Sequence, residues 1–163
     1  MSFRRALAVT ALGLVPAGLL GQAPAAQAPS SQVIVAHAPT LAWAPGPPSL
    51  PPGAEFVLLE GNPAEAVPLT LRLRFPANYR IPPHWHPADE HVTVVQGTFV
   101  LGIGEKFEQT GGHELGAGAF ALMPSGTRHY ASAKGETVVQ LHGVGPWGIN
   151  YVNSADDPRK KPQ

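Results

Sequence analysis

Two histidines separated by one residue, His84 and His86, are the side chains whose spacing best suits joint chemistry in this chain. On an extended strand alternate residues face the same side, so both imidazoles project from one face about 7 Å apart, while Trp85 points the other way. Glu90 follows a proline-containing turn and shares the even-numbered parity of the two histidines. Because neutral imidazoles and a carboxylate suit a divalent first-row metal ion, this stretch predicts part of a metal site.

A further histidine, His129, opens a β-rich run directly after a turn set by Pro124 and Gly126. We expect it to enter the fold from the side opposite to the first pair. An H-x-H pair alone is a weak signal, because histidines are common on the surfaces of strands. Three histidines and a carboxylate together are a stronger signal, because their burial is costly without a ligand. The predicted metal ligands are His84, His86, Glu90 and His129.

The rest of the chain has to position these residues, and its composition favours short strands. The 163 residues are 44% hydrophobic, enough for one domain with a core, and 19 prolines and 18 glycines predict many turns. The run 69–75 alternates apolar and polar residues, and no helical periodicity follows it, which predicts an all-β sandwich or barrel. Eleven basic and eleven acidic residues give no net charge and no basic cluster, which argues against nucleic acid as a partner.

The N-terminal residues 1–25 have the pattern of a signal peptide. Two arginines precede an apolar stretch, residues 6–20, that is too short to span a membrane stably. Small residues then offer cleavage after Ala25 or Ala28, and we expect Ala25 because Pro29 disfavours the later site. The exported protein would have no stable membrane span and would be periplasmic or secreted. The sequence contains no cysteine, so disulfides are excluded.

Three further parts follow the signal peptide. Residues 26–52 are rich in proline and alanine, which predicts a tether that adds an edge strand to the domain. Residues 53–153 hold the predicted strands and the candidate ligands, and residues 154–163 form a charged C-terminal tail. Gly97 separates two β-rich runs, which predicts a tight hairpin or a bulge at that position.

At these positions the chain resembles the cupin superfamily. The first cupin motif is matched, with its expected spacing, by His84, His86, Glu90 and Gly97. The second motif is matched by Gly118, Pro124, Gly126 and His129. Ala133 stands where the family often has an asparagine, which is not a ligand. The resemblance implies an all-β, single-domain cupin-type double-stranded β-helix, a jelly-roll barrel, with the four predicted ligands on one divalent metal ion.

The resemblance leaves the reaction open, because cupins with this ligand set include dioxygenases, isomerases, decarboxylases and proteins that only bind ligands. The same ligands accept Fe, Mn, Ni, Cu or Zn, so the native metal is open as well. Our first hypothesis is an exported, metal-dependent oxidoreductase of dioxygenase type that acts on a small metal-chelating organic substrate. The alternatives are a non-catalytic cupin that binds a metal or a small ligand, and a non-redox metal-dependent isomerase.

Other residues are assigned by the parity of their strands. His91 has the opposite parity to Glu90 and should face an outer layer or a partner subunit, and a homodimer through outer strands is a candidate assembly. His37 and His113 are expected to be solvated. An apolar lining of the barrel is expected from Val92, Val94, Phe99, Leu101, Phe120, Leu122 and Leu141. Gln140 and His142 share one face of a strand that lines the barrel in cupins, so the resemblance implies the candidate pocket residues Phe99, Gln140 and His142, with His142 in the pocket or in support of a ligand.

Overall fold

A computed structural model describes residues 33–160 of the chain, and the residues from Ile34 onward form one compact unit. Within the described residues, eleven β-strands and three short 3-10 helices are found. None of the described helices has the length and apolar character needed to cross a membrane. The predicted signal peptide, residues 1–25, and the first residues of the predicted tether lie outside the described part of the chain.

The strands form two antiparallel sheets. The strands are β1 Ala44–Pro45, β2 Glu55–Glu60, β3 Pro68–Phe75, β4 Arg80–Trp85, β5 Glu90–Gln96, β6 Thr98–Ile103, β7 His113–Gly116, β8 Phe120–Met123, β9 His129–Ala133, β10 Thr137–Val144 and β11 Asn150–Tyr151. The 3-10 helices are Ala38–Thr40, Ser154–Asp156 and Pro158–Lys160. The first sheet has the order β1-β2-β3-β10-β5-β8, and the second sheet has the order β11-β4-β9-β6-β7. This arrangement confirms the all-β, jelly-roll prediction.

Strand β3 shows why the two sheets enclose a core. Its leucines and Phe75 are buried, while the residues between them are partly exposed, as the alternation in the sequence predicts. On the outer face Arg72 donates a hydrogen bond of 3.0 Å to Gln140, and Arg74 donates one of 2.6 Å to Glu55. Each buried leucine contributes about 1.5–3 kcal/mol relative to exposure, so the inward face of this strand supplies much of the local stability.

Gly97 lies at a corner between the sheets, and the predicted hairpin is wrong. The strand before it, β5, belongs to the first sheet, and the strand after it, β6, belongs to the second, so the two do not pair. The glycine has a φ of +81°, and a Cβ at this position would lie 2.3 Å from the carbonyl oxygen of Glu136. A larger residue would therefore be strained and would clash, because the chain turns between sheets in very little space.

The predicted lining is correct for five residues and wrong for two. Phe120 and Leu122 are 55% and 48% exposed, and Met123 on the same strand is buried. Strand β8 pairs Met123 with Glu90, and this register directs its odd-numbered residues inward. The five buried residues are Val92, Val94, Phe99, Leu101 and Leu141.

The two chain segments that flank the barrel pack against it. Ala44 and Pro45 pair with β2 as an edge strand, and the Trp43 ring lies 4.6 Å from the guanidinium carbon of Arg74. At the other end, Arg159 donates a hydrogen bond of 3.1 Å to the carbonyl oxygen of Ile149. The charged C-terminal residues therefore fold back onto the loop that precedes β11.

Candidate metal centre

Three histidines are brought together by one sheet. Strands β4 and β9 are neighbours in the second sheet, and their register places His84 directly opposite His129. His86 follows the end of β4 on the same side as His84, and the candidate ligand atoms of the three residues all lie within 4.8 Å of one another. The expectation that His129 enters from the opposite side is therefore wrong, because it is a cross-strand neighbour of His84.

Glu90 approaches the histidines from the other sheet. It is the first residue of β5, and its Oε2 lies 3.2 Å from Nε2 of His129 and 3.5 Å from Nε2 of His86. All four side chains are almost completely buried, with exposed fractions of 2% to 6%. The structure thus brings together the four residues predicted as ligands, with three histidines as the mutually close group and Glu90 beside them.

Backbone carbonyls fix the orientation of all three imidazoles. In each ring Nδ1 lies within hydrogen-bond distance of a carbonyl oxygen, and since a carbonyl can only accept, Nδ1 carries the proton. The acceptors and distances are Pro82 at 2.7 Å for His84, Gly148 at 2.7 Å for His86 and Thr127 at 2.9 Å for His129. In the neutral form of each ring, this network leaves Nε2 as the available acceptor. Nε2 of His86 is buried and has no hydrogen-bond partner.

Burial favours the neutral form of His84 and His86. Desolvation, and then the neighbouring His129 and His86, hold the pKa of His84 well below its usual range. Desolvation also lowers the pKa of His86, although the nearby Glu90 carboxylate partly offsets it. The unpaired Nε2 of His86 therefore lies 3.5 Å from a Glu90 oxygen, and two acceptors that face each other favour a cation between them. A divalent metal ion fits this donor set, which accepts Fe, Mn, Ni, Cu or Zn.

An apolar cavity of about 200 Å³ adjoins His84, His86 and Glu90. Trp147 forms part of its wall and stacks on the His86 ring, with centroids 4.7 Å apart and an angle of 19° between the planes. Among residues 33–160, no lysine or arginine lines this cavity. A second cavity of about 20 Å³ lies behind the site, and Phe99 borders it together with His84, Glu90 and His129.

Two of the three candidate pocket residues are misplaced by the sequence prediction. Gln140 and His142 lie on the outward face of β10, where Gln140 accepts the hydrogen bond from Arg72. The His142 ring stacks on that of His91, with centroids 5.0 Å apart. Their neighbour Leu141 faces inward and lines the cavity instead. The outward orientation of His91 agrees with its predicted parity.

The sequence analysis did not identify the cavity walls that come from loops. Pro47, Ser49 and Leu50 lie before β2, and Trp147 and Ile149 lie after β10. These residues show no periodic pattern, because each belongs to an irregular segment whose position depends on the completed barrel. The proline-rich composition around Pro47 is the only signal that marks the first loop, and it indicated a tether.

Comparisons with known proteins agree with this architecture. The family model for the cupin domain matches residues 71–144. An acetylacetone dioxygenase from Acinetobacter johnsonii has a similar structure, with a TM-score of 0.61, 18% identity, and 81% of this chain and 85% of that chain covered. The polyketide cyclase RemF from Streptomyces resistomycificus has a TM-score of 0.58 at 18% identity, with 79% of this chain and 92% of that chain covered. A search of curated protein sequences finds no match.

Two facing antiparallel sheets with a buried three-histidine group between them define a cupin-type barrel. The match over residues 71–144 covers both motifs, from β3 to the end of β10. Residues 71–144 therefore match a cupin domain, and the fold is of the cupin type. The structural likenesses, at below 20% identity, establish the fold alone.

Proposed function

We propose that this protein is a metal-dependent oxidoreductase of the dioxygenase type that acts on a small, metal-chelating organic substrate. The observation that carries this proposal is the group of three buried histidines whose candidate ligand atoms lie within 4.8 Å of one another, with the Glu90 carboxylate 3.2 Å from His129 and 3.5 Å from His86. His84, His86, Glu90 and His129 would hold one divalent ion. When bound, a redox-active ion supplies a Lewis acid and an electron source for chemistry with O2.

The chain itself contributes a dry, weakly charged compartment. The walls of the cavity are apolar, so they exclude water and strengthen electrostatic interactions within it. A divalent ion and the Glu90 carboxylate together leave one positive charge, which a ligand bound as a monoanion would balance. With no lysine or arginine in the lining, a multiply charged substrate would lack partners. These features support neutral molecules that chelate after losing one proton, such as 1,3-diketones and enediols.

Likeness in fold to an acetylacetone dioxygenase supports the same class of chemistry by analogy. The test is metal analysis of the purified protein, followed by oxygen-uptake assays with diketones, enediols and flavonols. We expect metal-dependent oxygen consumption with at least one of these compounds when the protein is loaded with Fe, Mn, Ni or Cu, and none with Zn. Failure to take up any first-row metal, or inactivity across the whole panel, would refute the proposal.

A second candidate is a cupin that binds a metal and a ligand without redox turnover. It is favoured by one observation, that His84, His86 and Glu90 are the only titratable residues that line the larger cavity. A non-redox isomerase is a further alternative without redox turnover, because Zn could act as its Lewis acid. Calorimetric binding of a ligand recovered unchanged would favour the binding protein. Conversion of a substrate by the Zn form without oxygen would favour the isomerase.

Export to the periplasm or the exterior is a separate proposal that rests on the sequence pattern of residues 1–25. Expression of the full chain in a bacterial host with a secretion pathway should release a processed protein into the periplasmic fraction. N-terminal sequencing should find cleavage after Ala25. An unprocessed protein retained in the cytoplasm would contradict it.

A further inference from the structure

We infer that the loop from Gly46 to Ala54, here called the strap, determines which ligands can reach the metal centre. Sequence analysis predicts a tether in this region, but Pro47, Ser49 and Leu50 form a wall of the 200 Å³ cavity. The strap therefore lies over the part of the barrel that holds the candidate ligands. This inference rests on the proposed function, because it concerns the ligand of the same site.

The strap is a folded loop with a fixed shape. Its ends are joined by a hydrogen bond of 2.8 Å from the Gly46 amide to the Ala54 carbonyl oxygen, and the Leu50 amide donates one of 2.9 Å to the Pro47 carbonyl oxygen. A Cβ at Gly46 would lie 2.9 Å from the Ala54 carbonyl oxygen, so the close contact at the base requires glycine. Four prolines further restrict the backbone of the loop: Pro47, Pro48, Pro51 and Pro52.

Two tyrosines, the buried Tyr79 and the partly buried Tyr151, attach the strap to the barrel. The Tyr151 hydroxyl donates a hydrogen bond of 2.7 Å to the Ser49 carbonyl oxygen, and the Tyr79 hydroxyl donates one to the Pro51 carbonyl oxygen. Desolvation raises the pKa of both tyrosines above the usual range, so both remain donors. Tyr151 is the cross-strand partner of His84. The hydroxyl of Tyr151 therefore links the position of the strap to the strand that carries a candidate ligand.

The strap limits ligands by size and by polarity. A cavity of about 200 Å³ is smaller than the pockets that hold drug-sized molecules, which begin at about 300 Å³. Leu50 packs against the core and occupies space at the wall that a bulky substituent would need. The site therefore selects compact, uncharged chelators. Leu50 determines the size limit, and Tyr151 is a positioning residue that acts through the strap.

The experiment uses the full chain loaded with Co(II), whose visible spectrum reports ligands that bind the metal. The two neutral probes are acetylacetone, which is compact, and dibenzoylmethane, which carries two phenyl rings on the same chelating group. The variants are Leu50→Ala, which removes side-chain volume from the wall, and Tyr151→Phe, which removes one attachment of the strap. Leu122→Ala is the matched control, because it makes the same truncation at a position that is 48% exposed on the outer face.

We expect the unmodified protein to bind acetylacetone at least about tenfold more tightly than dibenzoylmethane. Leu50→Ala should reduce this ratio about tenfold, and Tyr151→Phe should reduce it about threefold, while the cobalt content of both variants stays at the level of the unmodified protein. Leu122→Ala should leave the ratio unchanged. A merely structural role of Tyr151 would alter thermal stability without altering the ratio.

The outcomes separate this inference from the proposed function. Equal affinity for the two probes in the unmodified protein, the same ratio in all variants, or no binding of either probe would overturn the role of the strap. The expected ratios without any oxygen consumption would support the strap and refute the oxidoreductase. Absence of cobalt uptake would overturn the metal centre and both proposals with it.

Discussion

The protein contains two pairs of histidines that face each other across neighbouring antiparallel strands. His84 faces His129 between β4 and β9, and His91 faces His142 between β5 and β10. We call His84 and His129 the inner pair and His91 and His142 the outer pair. In the inner pair the ring centroids are 4.2 Å apart and the planes are inclined by 60°. In the outer pair the centroids are 5.0 Å apart and the planes are nearly parallel, at 12°. In both pairs, the register of two antiparallel strands places the histidines directly opposite each other.

Their surroundings differ in ways that matter for metal binding. Each inner ring has Nδ1 against a carbonyl oxygen and lies close to a third histidine, and the Glu90 carboxylate lies 3.2 Å from Nε2 of His129. The outer His91 has a buried Nδ1 with no hydrogen-bond partner, and among the described residues neither outer histidine forms an ion pair with a carboxylate. Proximity of two imidazoles is therefore insufficient to form a metal site. A fixed tautomer, a third nitrogen and a negative charge distinguish the site from a surface pair.

The largest expected difference between the two pairs is in metal affinity. His129→Ala should reduce the affinity for a first-row divalent metal by at least about 100-fold, because it removes one of three converging nitrogens. His142→Ala, the matched change in the outer pair, should leave affinity and stoichiometry unchanged. Elemental analysis after dialysis and competition with a chromophoric chelator would measure both. Equal losses in the two variants would show that the distinction between the pairs is wrong.

The Glu90→Gln variant tests whether metal binding depends on the charge of this side chain or only on its volume. The amide keeps the volume of the carboxylate but removes its charge, so metal affinity should fall by about 10- to 100-fold. In the metal-free protein the amide can donate to a histidine Nε2, which the carboxylate cannot, so the melting temperature should stay equal or rise. Chelator competition and calorimetry of the metal-free form measure these effects. A large loss of stability with unchanged affinity would mean that Glu90 is structural.

The pH dependence of stability should reveal the burial of His84 and His86. Because burial lowers the folded-state pKa of His84 and His86, the unfolded chain binds more protons below its own histidine pKa of about 6.5. The stabilising contribution is therefore complete above pH ~6.5 and is lost as the pH falls below that value toward the folded-state pKa. Urea denaturation of the metal-free protein between pH 5 and 8, a range of about three units around this pKa, checks it. In a His84→Gln variant the acid loss should be smaller.

The smallest effect is expected in the outer pair. Replacing His91 by leucine removes a buried nitrogen that has no hydrogen-bond partner, so the free energy of unfolding should be unchanged or rise by about 1 kcal/mol. Metal content should not change. Denaturant unfolding with metal analysis of the same samples measures both quantities. A loss of more than about 1 kcal/mol would indicate that the stacking of His91 on His142 stabilises the sheet.

The success of the sequence analysis depended on how clearly each strand alternates. In β3 polar and apolar residues alternate along the strand, and in β5 residue parity correctly placed Glu90 inward and His91 outward. Strand β8 is apolar at every position, and only its pairing with β5 decides which residues face the core. Gln140 and His142 were misplaced for a different reason: they flank Leu141, which faces inward, and successive residues of a strand face opposite sides.

Two parts of the site could not be derived from periodicity at all. The side from which His129 approaches depends on β9 lying beside β4, which is a long-range pairing. The strap depends on hydrogen bonds from Tyr79 and Tyr151, which are distant in sequence from the carbonyls that they contact. Local patterns identified the ligands, whereas the walls around them follow from tertiary contacts.

The register that places His84 opposite His129 also has a consequence for folding. A metal ion held by both residues would cross-link two strands at positions that are 45 residues apart in the sequence. A shift of one residue between β4 and β9 would turn one imidazole away from the other, so the two could no longer bind the same ion. Metal binding would therefore favour the correct strand alignment over slipped alternatives, and it would reduce the conformational freedom of the intervening chain.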